Sequence, residues 1–200
     1  ITENQIMSLP RFYHPDLLES QQELFLTDIE AHHARNVLRV RDGSRIEVFN
    51  GAGLEAQCIL SIVGRNKCKA LIEQFRHSPK PADKLTLAVS IPESKDALSD
   101  ICRDIVQLGV TDIQLLVTRY CGFRRKGNYR KHMERYERII INGAKQCSAM
   151  WLPRLKEPVP LAEFIEGLSP DESVYCGLEP ELNHESSSVF MEEAAKPDLT

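Results

Sequence analysis

The sequence predicts an α+β protein with two domains, a small β domain followed by an α/β domain. Short β-type segments separated by turns fill the first third, and strand-like and helical patterns alternate after residue 83. Between them lies HSPKPAD, residues 77–83, whose prolines and polar neighbours indicate a linker. We therefore predict domains at residues 1–76 and 84–200.

The β domain is predicted from four segments rich in β-branched or aromatic residues. Asn50-Gly51 separates two of them, and both residue types tolerate the positive φ of a tight hairpin turn. Several short strands with tight turns predict a small barrel. Thr27 or Asp28 can cap a short helix through His32, His33 and Val37. The predicted strands are Glu23–Thr27, Arg45–Asn50, Leu54–Val63 and Lys67–Phe75.

The α/β domain begins with one predicted βαβ unit. LTLAVSI (85–91) and DIQLLVT (112–118) read as buried parallel strands, and residues 94–108 between them have helical spacing. Further along we predict helices at Arg130–Cys147 and Leu161–Leu168 and a third strand at Ser173–Leu178. Pro153, Pro158 and Pro160 are expected to interrupt regular structure.

Composition excludes several classes of protein. No apolar run reaches the roughly 18 residues of a membrane span, and residues 1–20 lack an apolar signal-peptide core. We therefore expect a soluble, cytoplasmic protein with no membrane association. The six cysteines form no C-x-x-C and no zinc-finger spacing, which favours buried, reduced thiols over a disulfide framework or a metal site.

Charge is unevenly distributed along this acidic chain, whose net charge is −4. Residues 35–45 hold four arginines opposed only by Asp42. They can form a phosphate-contacting edge or simply a solvated face. His32 and His33 precede them as potential ligands or bases, or as one packed and one surface histidine. Adjacent helical residues point about 100° apart, which disfavours a shared metal site.

A second basic segment runs from Arg119 to Arg138 and contains eight Arg or Lys and two Glu. Its charges alternate with aromatic residues, which suits phosphates and unpaired bases. The alternative is a solvated loop leading into a surface helix. By contrast, residues 161–200 hold ten Asp or Glu and one Lys. Such clustering of positive charge favours a polyanionic partner.

Familiar catalytic motifs are absent. The sequence contains no G-x-G-x-x-G, P-loop, G-x-S-x-G or H-E-x-x-H pattern, so a metabolic enzyme acting on a small substrate lacks support. Chemistry is then expected from a bound cofactor or from loops at the carboxyl ends of the parallel strands.

Four stretches together resemble the small-subunit ribosomal-RNA uridine-N3 methyltransferases of the SPOUT superfamily. They are LPRFYHPDLL, HHARNVLRVRDGSRIEVFNGAG, QLGVTDIQLLVTRY and RYERIIINGAKQC-x4-LP, and the resemblance spans residues 9–180. It implies an N-terminal PUA-like β-barrel that binds RNA, followed by an α/β SPOUT-type trefoil-knot domain that binds S-adenosylmethionine. It also implies a homodimer that methylates N3 of one uridine in small-subunit ribosomal RNA, either naked or in the assembled subunit.

The resemblance and the charge pattern together nominate site residues. We expect RNA contacts in the barrel and beside the active site, and a cofactor-binding edge after the third strand; no catalytic base is assigned. The expected RNA contacts are Arg11, His33, Arg35, Arg39, Arg41, Arg119, Arg124 and Arg125, and the expected cofactor edge is Leu178, Glu179 and Pro180.

The chain also departs from the family pattern. Gln107 stands where the family has Glu, and Ala149 where it has Arg, whereas Arg119 and Arg135 match family arginines. The family's glycine-rich G-P-E-G-G cofactor loop falls just beyond Thr200, so we expect a longer natural protein and weak cofactor binding by residues 1–200. The departures leave open a non-catalytic RNA-binding or ribosome-assembly protein.

Overall fold

The computed structural model describes residues 9–64, 67–92, 95–119, 121 and 129–177. It divides into two compact units, residues 1–164 and 165–200. In the second unit the described residues 173–177 form no strand, so the predicted strand Ser173–Leu178 is wrong over that range. These residues are exposed, and a strand pairs stably only where neighbouring strands satisfy its backbone groups.

Five strands form the first sheet, in the order β1-β3-β4-β5-β2. The meander β3-β4-β5 is antiparallel, as the hairpin turns predicted. The short strand β1 was not predicted from the sequence and pairs in parallel with β3. The strands are β1 Arg11–Tyr13, β2 Glu23–Phe25, β3 Arg45–Phe49, β4 Leu54–Val63 and β5 Lys67–His77.

The predicted short helix lies between β2 and β3. Helix α1 (Asp28–His32) begins after Thr27, whose hydroxyl accepts a hydrogen bond from the Glu30 backbone N–H at 3.3 Å. The chain then continues as a π-helix at His33–Val37. Ala31 and Ala34 are buried against the apolar face of the sheet, which fixes the helical segment on that face.

A parallel three-stranded sheet in the order β6-β7-β8 forms the other half of this unit. The prediction that prolines interrupt regular structure here is wrong for Pro158 and Pro160, because both lie in β8. That strand is the last in the described order, where a missing N–H donor is tolerated. The elements are β6 Thr86–Ser90, α2 Lys95–Asp104 with a 3₁₀ turn at Ile105–Leu108, β7 Asp112–Val117, α3 Tyr129–Cys147, β8 Arg154–Pro160 and α4 Leu161–Glu166.

Helix α3 packs on this sheet and on α2 through the apolar stripe expected from its sequence, with Tyr136, Ile140 and Ala144 buried. Phe49 from the five-stranded sheet belongs to the same hydrophobic cluster. The five-stranded sheet therefore contributes to the same hydrophobic cluster as α3 and the parallel sheet. Among the described residues, no helix is long and apolar enough to cross a membrane.

Candidate RNA and cofactor site

The basic edge, residues 35–45, begins in the π-helix and continues through a turn to the first residue of β3. Arg39 and Arg41 are exposed, and Arg39 has a positive φ of 53°. The turn that follows is fixed to β4, because the Asp42 carboxylate accepts from the Ile62 N–H at 2.6 Å and Gly43 N–H donates to the Leu60 carbonyl at 2.8 Å. Two exposed guanidinium groups are thus presented from a backbone that is held in place.

The neighbouring positions of this edge are more constrained. Arg35 is half-buried and donates from Nη1 to the Gly64 carbonyl at 2.9 Å. Arg45 is exposed and pairs with Glu73 at 3.6 Å. Side-chain pairs of this kind on the surface are weak and salt-screened, so phosphate can replace the carboxylate. Arg39 and Arg41 are therefore the more accessible candidates for contact with phosphate.

The adjacent histidines take different environments. His33 is half-buried, and its ring lies edge-on to Phe12 with centroids 6.3 Å apart, whereas His32 is exposed. This is the arrangement of one packed and one surface histidine. Among the residues that the structure describes, no group of three or more His, Cys, Asp and Glu is placed to hold a metal ion.

Arg11 is buried rather than exposed beside the basic edge. It is 5% exposed, and its Nε donates to the Glu55 carboxylate at 2.9 Å while Nη1 donates to the Ala144 carbonyl at 2.7 Å. Its guanidinium also stacks over the Phe49 ring, 4.0 Å from the centroid. The expectation that Arg11 contacts RNA is corrected on this ground, because a buried guanidinium held by Glu55 and by the Ala144 carbonyl cannot reach a phosphate.

The carboxyl edge of the parallel sheet brings together groups that sequence reasoning did not single out. Strands β6 and β7 end side by side, and there the Ser90 and Thr118 hydroxyl oxygens lie 2.8 Å apart. Arg119 follows immediately and is exposed. Thr118 ends one predicted parallel strand and Ser90 is the penultimate residue of the other, so strand adjacency would have identified the pair. The other expected site residues, Arg124, Arg125, Leu178, Glu179 and Pro180, lie outside the described residues.

A separate cleft of about 640 Å³ opens at the opposite edge of this sheet. Lys84 precedes β6 and Thr111 precedes β7, so the cleft lies at the amino ends of the strands, with Trp151 on its wall. Ligands of open parallel sheets bind at the carboxyl ends. The cleft is therefore distinct from the edge that carries Ser90 and Thr118.

Comparison with protein families gives two matches in series. Residues 26–73 match the RNA methyltransferase PUA domain, and residues 78–196 match the RNA methyltransferase domain.

Relatives of known name agree with both matches. The chain is 25% identical over 174 residues to "Ribosomal RNA small subunit methyltransferase E" of Synechocystis sp., covering 86% of this chain and 55% of the relative. It is 25% identical to the protein of the same name from Rickettsia conorii, covering 75% of this chain and 59% of the relative. The chain thus spans between about half and two thirds of these relatives.

A solved structure shows the same fold. The Neisseria gonorrhoeae ribosomal RNA small subunit methyltransferase E, crystallised with S-adenosyl methionine, matches with a TM-score of 0.71 and 28% identity. The match covers 81% of this chain and 67% of that protein.

Proposed function

Because the chain belongs to the RNA methyltransferase family, we propose that it acts in S-adenosylmethionine-dependent methylation of small-subunit ribosomal RNA, at N3 of a uridine. The observation that carries this proposal is the structural match, over 81% of the chain, to a methyltransferase crystallised with S-adenosyl methionine. The cytoplasm, as the place where the substrate is made, is proposed as the site of action. A homodimer and a knotted second domain are proposed from the resemblance.

RNA recognition is assigned to two surfaces. The basic edge of residues 35–45 presents Arg39 and Arg41 to phosphates, with His33 and Arg35 beside them. Arg119 lies at the carboxyl edge of the parallel sheet, and Arg124 and Arg125 follow it in sequence. Phosphate contacts of this kind fix the register of the nucleic acid and supply most of the salt-dependent affinity.

The residues of the carboxyl edge suit the proposed cofactor. Ser90 and Thr118 offer two hydroxyl groups that can donate to or accept from a ribose or an amino-acid moiety, and Arg119 can pair with a carboxylate. Leu178, Glu179 and Pro180 are proposed as a further wall. When bound, S-adenosylmethionine supplies a methyl group on a sulfonium, which is already activated for transfer.

The protein's task is then mainly positioning. Uracil N3–H is weakly acidic, so nitrogen becomes nucleophilic once its proton leaves. Cationic groups such as Arg119 stabilise the anion that forms. A bound donor would supply the methyl group and release its sulfur as a neutral thioether, so the residues present need only hold the base and the donor in line. Two RNA-binding surfaces serve this chemistry by bringing one base to the edge where the donor is held.

Methyl transfer tests the proposal directly. Radiolabelled S-adenosylmethionine would be incubated with unmethylated small ribosomal subunits and the complete gene product, and the modified nucleotide mapped. Label at N3 of one uridine is expected. RNA binding without label would instead favour the non-catalytic RNA-binding alternative. The absence of both RNA binding and label would refute the proposal.

The contribution of the basic edge is tested separately. The double variant R39A/R41A should bind ribosomal RNA more weakly, and the slope of log K against log salt should fall in magnitude by about 1.4 for two lost phosphate contacts. The control is R103A, which removes an exposed arginine paired with Asp100 on α2. An unchanged slope in R39A/R41A would exclude these arginines as phosphate contacts.

A further inference from the structure

The cleft at the amino edge of the parallel sheet has an aromatic and apolar wall. Trp151 lines it together with Val106, Val110 and Leu152. The indole is held in one orientation, because its N–H donates to the Ser78 carbonyl at 3.2 Å, and the side chain is only half-buried. A volume of about 640 Å³ lies within the range of pockets that bind small organic molecules. The cleft is therefore large enough to take an aromatic heterocycle and its substituents.

The rim of the cleft carries an excess of positive charge. Lys80 and Lys84 border it and are exposed, and so does Arg154, whose side chain is 75% exposed. The acidic residues of the lining are Asp83 and Asp112. Asp112 is fully buried and already paired, since its Oδ1 lies 3.0 Å from Arg154 Nη2. This ion pair fixes the guanidinium at the rim and leaves the two lysines opposed only by Asp83.

The predicted linker, residues 77–83, forms one side of the cleft and is anchored at both of its ends. At one end, the Ser78 N–H donates to the Gly53 carbonyl at 2.8 Å. Just beyond the other, the Leu85 N–H donates to the Thr111 hydroxyl oxygen at 3.0 Å, and the Thr111 N–H donates back to the Leu85 carbonyl at 2.9 Å. A cleft formed before its ligand arrives loses less conformational entropy on binding.

The arrangement of wall and rim selects the class of ligand. An aromatic wall takes the face of a nucleobase, and a cationic rim takes a phosphate. A site built for one free nucleotide usually fixes the base through precisely placed polar groups inside the pocket. Here the cations lie at the exposed rim, and the wall consists largely of apolar side chains. Stacking with little preference among bases, combined with phosphate contact, is how proteins hold unpaired RNA.

We propose that this cleft binds one unpaired nucleotide of the substrate RNA, with its base against Trp151 and a phosphate at Lys80 and Arg154. The cleft lies at the amino end of β7, and the edge with Ser90 and Thr118 lies at the carboxyl end. Strand β7 has six residues, which at 3.3 Å per residue is about 20 Å. The cleft therefore holds a different nucleotide from the one that is methylated and helps to select the RNA. The inference rests on the proposed function, because it takes RNA as the partner.

Tryptophan fluorescence tests the proposal at the cleft itself. Trp151 is the only tryptophan among residues 1–200, and the W151F variant supplies the blank for the complete gene product. The probes are an unstructured oligouridylate hexamer, a blunt RNA duplex and uridine monophosphate. The hexamer should quench the fluorescence saturably, because one of its bases stacks on the indole. The duplex and the mononucleotide should need concentrations at least about tenfold higher, because one lacks unpaired bases and the other lacks further phosphates.

Two results of this titration would overturn the proposal. Hexamer binding detected by anisotropy of a labelled strand, without quenching of Trp151, would show that RNA does not enter the cleft. Equal quenching by uridine monophosphate and by the hexamer would assign the cleft to a free nucleotide instead of an RNA strand.

The phosphate contact is tested with K80A, because Lys80 is exposed and its loss leaves the wall of the cleft intact. With quenching by the hexamer as the readout, the slope of log K against log salt should fall in magnitude by about 0.7 for one lost contact. K80R should restore the slope. The control is R103A, which removes an exposed arginine paired with Asp100 on α2 and should leave the slope unchanged. An unchanged slope in K80A would overturn the assignment of phosphate to this rim.

The cleft and the proposed function can fail separately. Quenching by the hexamer without methyl transfer to small ribosomal subunits would support the cleft as an RNA site while the methyltransferase proposal fails. Methyl transfer without quenching would overturn the cleft and leave the proposed function standing.

Discussion

Gly53 lies where the β3–β4 turn meets the segment after α3, and replacing it with alanine should destabilise the protein for two reasons. Its φ is +90°, a conformation that costs a residue with a Cβ about 1–2 kcal/mol. In addition, an added Cβ would lie 2.5 Å from Trp151 Cζ2 and 2.8 Å from the Ser78 carbonyl oxygen. Inserting a methyl group into such a contact typically costs about 1–3 kcal/mol.

Gly43 offers a matched control, since its φ is +77° and an added Cβ would meet nothing within 4 Å. G43A should therefore show the conformational cost alone. Both substitutions also restrict the unfolded chain by a similar amount, so that effect cancels in the comparison. The expected difference between G53A and G43A in free energy of unfolding is about 1–3 kcal/mol.

Urea denaturation of the wild type and both variants measures this difference. The change should appear as a lower midpoint with an unchanged slope, because the surface exposed on unfolding stays the same. G53A combined with W151A should recover part of the steric cost, which would appear as non-additivity of the two single changes. Equal destabilisation by G53A and G43A would refute the close packing of this turn against Trp151.

Two further predictions concern buried titratable groups. Burial by itself raises the pKa of Asp112, but the hydrogen bond and charge of Arg154, with Lys156 and Thr111, outweigh this effect and leave the pKa lowered. The ionised carboxylate therefore stabilises the folded protein above about pH 4, and this stabilisation is lost as pH falls through the folded-state pKa. D112N should flatten the acid limb of stability against pH, whereas D100N, at an exposed position, should leave the limb unchanged. Burial also raises the pKa of Cys58 to about 12 and of Cys102 to about 11, whereas Cys176 is exposed. A thiol reagent should therefore modify Cys176 first and reach Cys58 and Cys102 only on unfolding. The C176S variant should lose the fast phase of thiol modification, and fast modification of Cys58 would contradict its burial.

Most of the secondary structure could be predicted from local sequence patterns. Strand Leu54–Val63 agrees with its predicted bounds, and α3 begins one residue before the predicted Arg130. The misses depend on non-local pairing. Strand β1 has only three residues and exists through its parallel partner β3, and β8 contains prolines that a strand tolerates at an edge but that a local pattern reads as breaks.

The candidate site was less predictable for a similar reason. Exposure of Arg39 and Arg41 follows from a polar, charged turn between helix and strand. The burial of Arg11 does not follow from its neighbours, because its partners Glu55 and Ala144 are 44 and 133 residues away. A basic residue next to an aromatic residue, in a segment whose composition looks exposed, suggests contact with RNA. Only the tertiary contacts show that Arg11 instead joins two parts of the chain.

The position of these partners changes how the family motifs are interpreted. Arg11 lies in LPRFY, Gly53 in NGAG, and Ala144 and Lys145 in NGAKQC, three of the stretches on which the resemblance depends. The structure brings all of them to the boundary between the five-stranded sheet and the carboxyl end of α3. Close contact between the sheet and the helix end is served by a buried arginine, by a glycine packed against an indole and by cations at the end of the helix. These motifs therefore encode the contact between the five-stranded sheet and the carboxyl end of α3, whereas Arg39 and Arg41 in the same family stretches remain exposed.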